Sequence, residues 1–153
     1  MTGVNNMINK KSVRSVFDTY TAGYDMTDPK IHLKYVHTGW FADNCERIAC
    51  SLNMTEADIF LAWEIGMLHD IGRFEQLRRF DTFIDTESID HAEFGGDLLF
   101  KDGLIQQFDD EKENYALLEK SIRLHSLYRL PENLSERELL FCQMIRDADK
   151  IDI

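Results

Sequence analysis

The chain is poor in what interrupts a helix: two prolines, Pro29 and Pro131, and eight glycines among 153 residues. Collagen-like and low-complexity chains are thereby excluded. Cysteine is also scarce. Cys45, Cys50 and Cys142 are odd in number and form no Cys-x-x-Cys pair. A disulfide framework is not expected, and a reducing cytoplasm is. The spacing of Cys45 and Cys50 fits no common zinc pattern. Basic residues are outnumbered, 17 Lys and Arg against 28 Asp and Glu, for a net charge of -11. That balance argues against nucleic acid or an acidic membrane surface as partner, since both need clustered cations. It does not exclude a nucleotide substrate, because bound divalent ions supply local positive charge. No run is long and apolar enough to cross a bilayer as a helix. Met1 to Lys11 is polar and lacks the apolar middle of a signal peptide.

What remains is a chain with 44% apolar residues, enough for one core and one domain over residues 1–153. Apolar positions recur at three and four, which predicts helices throughout and an all-α bundle. A short helix is expected over 12–21. Asp28-Pro29 opens a longer one, Asp28 as cap and Pro29 in the first turn. It places His37 near the face of Phe41, Ile48 and Leu52. Asn53 to Thr55 ends it, and Thr55 caps a third helix running to about Leu68. Residues 81–89 read as a loop in which Phe83 and Ile84 either cover a site or pack on the core. Ser88 or Asp90 begins a helix in which Gly95 and Gly96 permit close approach. Residues 111–127 form another, with Tyr115, Leu118, Ile122 and His125 on one face. Ser135 to Glu138 is a capping box opening the last helix.

Histidine is the informative minority. Of five, four stand in an ordered series: His37, then His69-Asp70, then His91, then His125, with Asp149 following in Asp147-Ala148-Asp149-Lys150. Each lies on a segment that reads as helix or helix end. Imidazole and carboxylate ligands suit divalent ions such as Mn, Fe, Co, Ni, Mg or Zn. A lone buried histidine is more often a hydrogen-bonded structural residue; the ordered set reverses that preference. His32 lies five residues before His37, about 140° round the helix, and reads as surface.

Five pieces together resemble the HD superfamily: Val36-His37-Thr38, Leu68-His69-Asp70-Ile71-Gly72-Arg73, Asp90-His91-Ala92-Glu93-Phe94-Gly95, Arg123-Leu124-His125 and Asp147-Ala148-Asp149-Lys150-Ile151-Asp152. The likeness spans roughly residues 30–153. It implies a single all-α HD domain. It also implies phosphoester hydrolysis by a metal-bound hydroxide, on a nucleotide or another small phosphorylated metabolite. One or two divalent ions (Mn, Fe, Co, Ni or Mg) are implied. His37, His69, Asp70 and Asp149 would hold the first; Asp70, His91 and His125 the second. Asp147 and Asp152 compete with Asp149, and Asp147 is the fallback. Arg73 matches the basic residue that faces substrate phosphate in HD-GYP phosphodiesterases. Its bland alternative is a salt bridge to Glu75. Lys150 is a weaker substrate-binding candidate. The Gly-Tyr-Pro signature is missing after His125, so cyclic dinucleotide hydrolysis does not carry over. Family members usually continue into further helices, which leaves truncation after Ile153 open. The alternatives are an HD-fold di-iron oxygenase, built on the same ligand types, and a non-catalytic metal- or nucleotide-binding regulatory module. Substrate, native metal, general acid and oligomeric state are not fixed at this level.

Overall fold

A computed structural model describes residues 2–151, without the side chains of residues 2–6 and 8. Asp152, one of the competing carboxylates, and Ile153 lie outside the described residues. Among those described, eight α-helical segments and no strand are found. They are α1 (Thr2–Thr21), α2 (Pro29–Ser51), α3 (Glu56–Leu68), α4 (Gly72–Phe80), α5 (His91–Gly96), α6 (Ile105–Phe108), α7 (Tyr115–Leu124) and α8 (Glu136–Ile151).

The caps predicted from sequence form as expected. Asp28 accepts the Lys30 backbone N–H at 2.9 Å, and Thr55 accepts that of Asp58 at 3.2 Å. Asp90, rather than Ser88, caps α5, accepting from Ala92 and Glu93 at 3.1 Å each. Ser135 and Glu138 satisfy one another's backbone N–H groups reciprocally.

α2 and α3 form the central pair. A Cβ on Gly66 would stand 2.6 Å from Ala42 Cα, so a glycine is required where the two helices touch. α1 packs on α3, α8 on α2 and α7, and α5 on α4 and α7. Phe17, Phe41, Trp63, Phe74, Leu118, Ile122 and Phe141 fill the space between them.

Three features depart from expectation. α1 extends well before residue 12 because tertiary contacts support its polar amino-terminal part. Lys10 pairs with Glu46 at 2.6 Å and lies over the Trp63 ring at 5.2 Å. α4 was not foreseen, since Gly72 after the His-Asp pair reads as a break. Phe74 and Leu77 bury its inner face, and Asp81 ends it at φ 53, returning its N–H to Leu77. Leu52, expected to point inward, caps α2 and is 50% exposed.

Candidate metal centre

α3 ends at Leu68, and the chain turns through His69-Asp70-Ile71 into α4. This junction is buried, with His69 4% and Asp70 6% exposed. The turn is tight because Gly72 lies against α5: a Cβ there would meet His91 O at 2.6 Å and Gly95 N at 2.9 Å. The α4 start and the α5 start are thus locked together, and His91 is brought to Asp70. His125 arrives from the end of α7.

Three imidazoles converge on the Asp70 carboxylate through the same atom. His91 Nε2 and His125 Nε2 each lie 3.3 Å from Oδ1, and His69 Nε2 lies 3.4 Å from Oδ2. The opposite nitrogen of each ring is occupied by an acceptor. His69 Nδ1 donates to Gly66 O at 2.7 Å, His125 Nδ1 to Ile122 O at 2.6 Å, and His91 Nδ1 to Asp85 Oδ2 at 2.7 Å. A carbonyl or carboxylate can only accept, so Nδ1 carries the proton and Nε2 presents a lone pair. His91 and His125 then face each other Nε2 to Nε2 at 3.0 Å. Two lone pairs so placed repel unless a proton or a metal cation lies between them. The donor set therefore fits a divalent ion, which His69, Asp70, His91 and His125 would hold.

The protonation states agree. Burial holds the His69 imidazole below its ordinary pKa despite the adjoining Asp70. Burial alone would raise Asp70; positive charge on His69 and hydrogen bonds from the three rings, which need a proton on Nε2, outweigh it and keep the carboxyl well below its usual range, a place a metal cation takes over once those protons leave. A neutral imidazole and an ionised carboxylate are the ligand forms a metal takes. The His69 ring is further fixed by stacking on Phe41 at 4.0 Å.

His69, Asp70 and His125 offer ligand atoms within 4.8 Å of one another. His37, His91 and Asp149 are not in that group, although His91 Nε2 lies 3.3 Å from Asp70 Oδ1. His37 is half-buried on α2, its ring 6.2 Å from that of Phe41. Asp149 is exposed on the last turn of α8. Lys150 is exposed there too and pairs with Asp147 at 3.7 Å. His32 is exposed, as expected.

Arg73 is engaged, though not with Glu75. Its Nη1 meets Gln76 Oε1 at 2.9 Å, Asp85 Oδ1 at 3.0 Å and Phe83 O. Glu75 instead binds Tyr24, Arg78 and Arg79.

Two residues at the centre escaped the sequence reading. Asp85, in the 3-10 turn Asp85–Glu87, accepts both Nδ1 and the backbone N–H of His91, the latter at 3.1 Å. Its other oxygen takes Arg73 and, at 3.0 Å, Gln76 Nε2. Such a carboxylate behind a histidine ligand fixes ring orientation. Lys34, on α2 three residues before His37, puts its ammonium 3.1 Å from Asp70 Oδ2 and 5.4 Å from the Phe83 ring centre. Lys34 could have been found from its three-residue spacing to His37; nothing local marks Asp85. Phe83 packs on the core, as the simpler expectation had it, while lying beside both Lys34 and Arg73; Ile84 is exposed.

A family model described as HD domain matches residues 35–153. No curated protein and no solved structure matches the chain.

Proposed function

The chain belongs to the HD domain family, and from that premise we propose that it is a metal-dependent phosphohydrolase cleaving a phosphoester of a nucleotide or another small phosphorylated metabolite. The observation that carries this reading is the convergence of three Nε2 lone pairs on the two oxygens of one buried carboxylate. A divalent ion held there would acidify a coordinated water and offset charge on the transferring phosphoryl group.

The ligands in this reading are His69 and Asp70 on one side and Asp70, His91 and His125 on the other. His37 and Asp149 are candidates for further positions beside His69. Asp70 is the shared residue. Asp85 holds the His91 ring so that its lone pair is aimed before any ion arrives. Lys34 balances the charge of Asp70, and beside a bound ion its ammonium is free to meet a phosphate oxygen. Arg73 has its Nη1 committed to the loop. Its contribution to phosphate binding is assigned to Nη2, and its contribution to order runs through Asp85. Phe83 lies beside both cations.

The test is to load the protein separately with Mn, Fe, Co, Ni, Mg and Zn, measure bound metal, and assay a nucleotide panel and a chromogenic phosphodiester. Metal-dependent phosphoester cleavage, lost together with bound metal in Asp70→Ala, supports the reading. Oxygen uptake by a di-iron form without hydrolysis would reassign the centre to oxygen activation. Stoichiometric metal with neither activity would make it a binding module.

A further inference from the structure

Glu64 lies on α3, four residues before its last residue, Leu68. It is fully buried, no donor of another residue hydrogen-bonds its carboxylate oxygens, and the group that faces it is a second acid, Asp109. Buried polar groups are nearly always partnered, so an orphaned carboxylate calls for an explanation. Glu64 lines a cavity of about 490 Å³ between α1, α3 from Ala57 to Glu64, α6, residues 109–114 and Arg137 of α8. That volume falls within the roughly 300–1,000 Å³ of small-molecule sites.

The cavity is strongly acidic. Asp109, Asp110, Glu111 and Glu113 share its wall with Glu64. Arg137 is the one cation among the described lining residues, and it is already bound to Asp58 by two contacts of 2.8 Å. Phe60, Leu61 and Phe108 supply apolar surface. The acids do not converge as the ligands of one ion do. Among the described residues, the group with three ligand atoms within 4.8 Å of one another is His69, Asp70 and His125. Carboxylates distributed over a partly apolar wall match separated positive charges on an aliphatic chain.

We propose that this cavity binds an aliphatic di- or polyamine. One ammonium group sits between Glu64 and Asp109, the methylenes lie on Phe60 and Phe108, and a second ammonium reaches Glu111 at the rim. Charge-assisted hydrogen bonds from an ammonium supply the cationic donor that the Glu64 and Asp109 pair lacks. Burial, and after it the Asp109 and Glu111 carboxylates, push the Glu64 pKa well above its ordinary value. An ammonium seated there reverses that push, so binding releases a proton from Glu64 at any pH where the empty site still holds one.

The site is independent of the hydrolase reading, and its test reads no activity. Putrescine and spermidine are titrated calorimetrically into the full chain, in two buffers of different ionisation heat at matched ionic strength. Saturable one-to-one binding with proton release is expected. Glu64→Gln should weaken it by at least about tenfold and abolish the proton release. It removes a buried ionisable group and keeps the side-chain shape, so the fold is retained, which circular dichroism checks. Glu111→Gln, at an exposed position, should weaken binding without altering proton release. No saturable heat with either amine at millimolar concentration would overturn the proposal. So would unchanged affinity in Glu64→Gln, or full displacement of both amines by equimolar Mg or Ca.

Discussion

Asp85→Asn tests the support behind the centre with a change of one atom type. The carboxylate accepts on both edges: Oδ2 takes the His91 ring N–H at 2.7 Å and backbone N–H at 3.1 Å, while Oδ1 takes Arg73 and Gln76 at 3.0 Å each. An amide accepts on one edge only. Turned one way, its NH₂ opposes the two His91 donors; turned the other, it opposes Arg73 and the Gln76 amide. Either rotamer leaves donors facing a donor, costing about 1–3 kcal/mol. If the His91 edge suffers, the ring loses the bond that fixes its tautomer. Removing such a support typically lowers metal affinity or activity about 10–100-fold, or about 1.4–2.7 kcal/mol. Titration with Mn followed by electron paramagnetic resonance reads the affinity directly. His91→Ala supplies the control, because once the ring is gone the amide should have little further effect on metal affinity. Wild-type affinity and turnover in Asp85→Asn would refute the argument. So would an equal loss in the presence and absence of the His91 ring.

Lys34→Met removes the ammonium 3.1 Å from Asp70 Oδ2. Bound metal should hold or rise, since a competing cation is gone, while kcat/KM falls at least about tenfold; unchanged kcat/KM would confine Lys34 to charge balance. Gly72→Ala forces a methyl group to within 2.6 Å of His91 O. It should cost about 1–3 kcal/mol and weaken metal binding as α5 shifts, and an unaltered Tm would contradict the packing argument. Glu64 has a folded-state pKa raised by burial and by the neighbouring acids Asp109 and Glu111. The folded chain therefore keeps a proton that the unfolded chain has released, and stability declines as pH rises from the ordinary carboxyl range towards the folded pKa. Denaturant titrations between about pH 5 and pH 8 should show Glu64→Gln flattening that decline and gaining stability at neutral pH; a parallel pH profile would show that Glu64 is not the group involved.

The all-α architecture and the family were legible because both depend on local regularities. Three-four apolar spacing announces helices, and Asp28, Thr55 and Ser135 announce where three of them begin. Asp70 and the histidines around it were visible as a series since each sits at or near a helix end. Asp85 was not visible, because its partners lie six, nine and twelve residues away on two other elements. Nothing in a threonine-rich loop signals that one acid turns inward. Arg73 was singled out as a phosphate contact with a salt bridge to Glu75 as the alternative; its ion pair is with Asp85 and not with Glu75. α4 was hidden by its own first residue, since Gly72 marks close contact with α5 and not a break. The amino-terminal part of α1 was hidden for a different reason: its sequence is polar, and the contacts that support it lie on α2 and α3.

The loop carrying Asp85 is fastened by side chains: Arg73 to the Phe83 carbonyl, and Gln76 to Asp85, Ser88 and the Ile89 carbonyl. We expect a segment held in this way to open as a local event, with a free energy below that of global unfolding. Each opening withdraws the carboxylate that orients His91. The metal affinity on that side of the centre is then the intrinsic affinity multiplied by the closed fraction of the loop. Hydrogen exchange at residues 82–90 and metal affinity would consequently move together across loop variants, and a substitution that never touches a ligand could tune the centre by shifting one population against another.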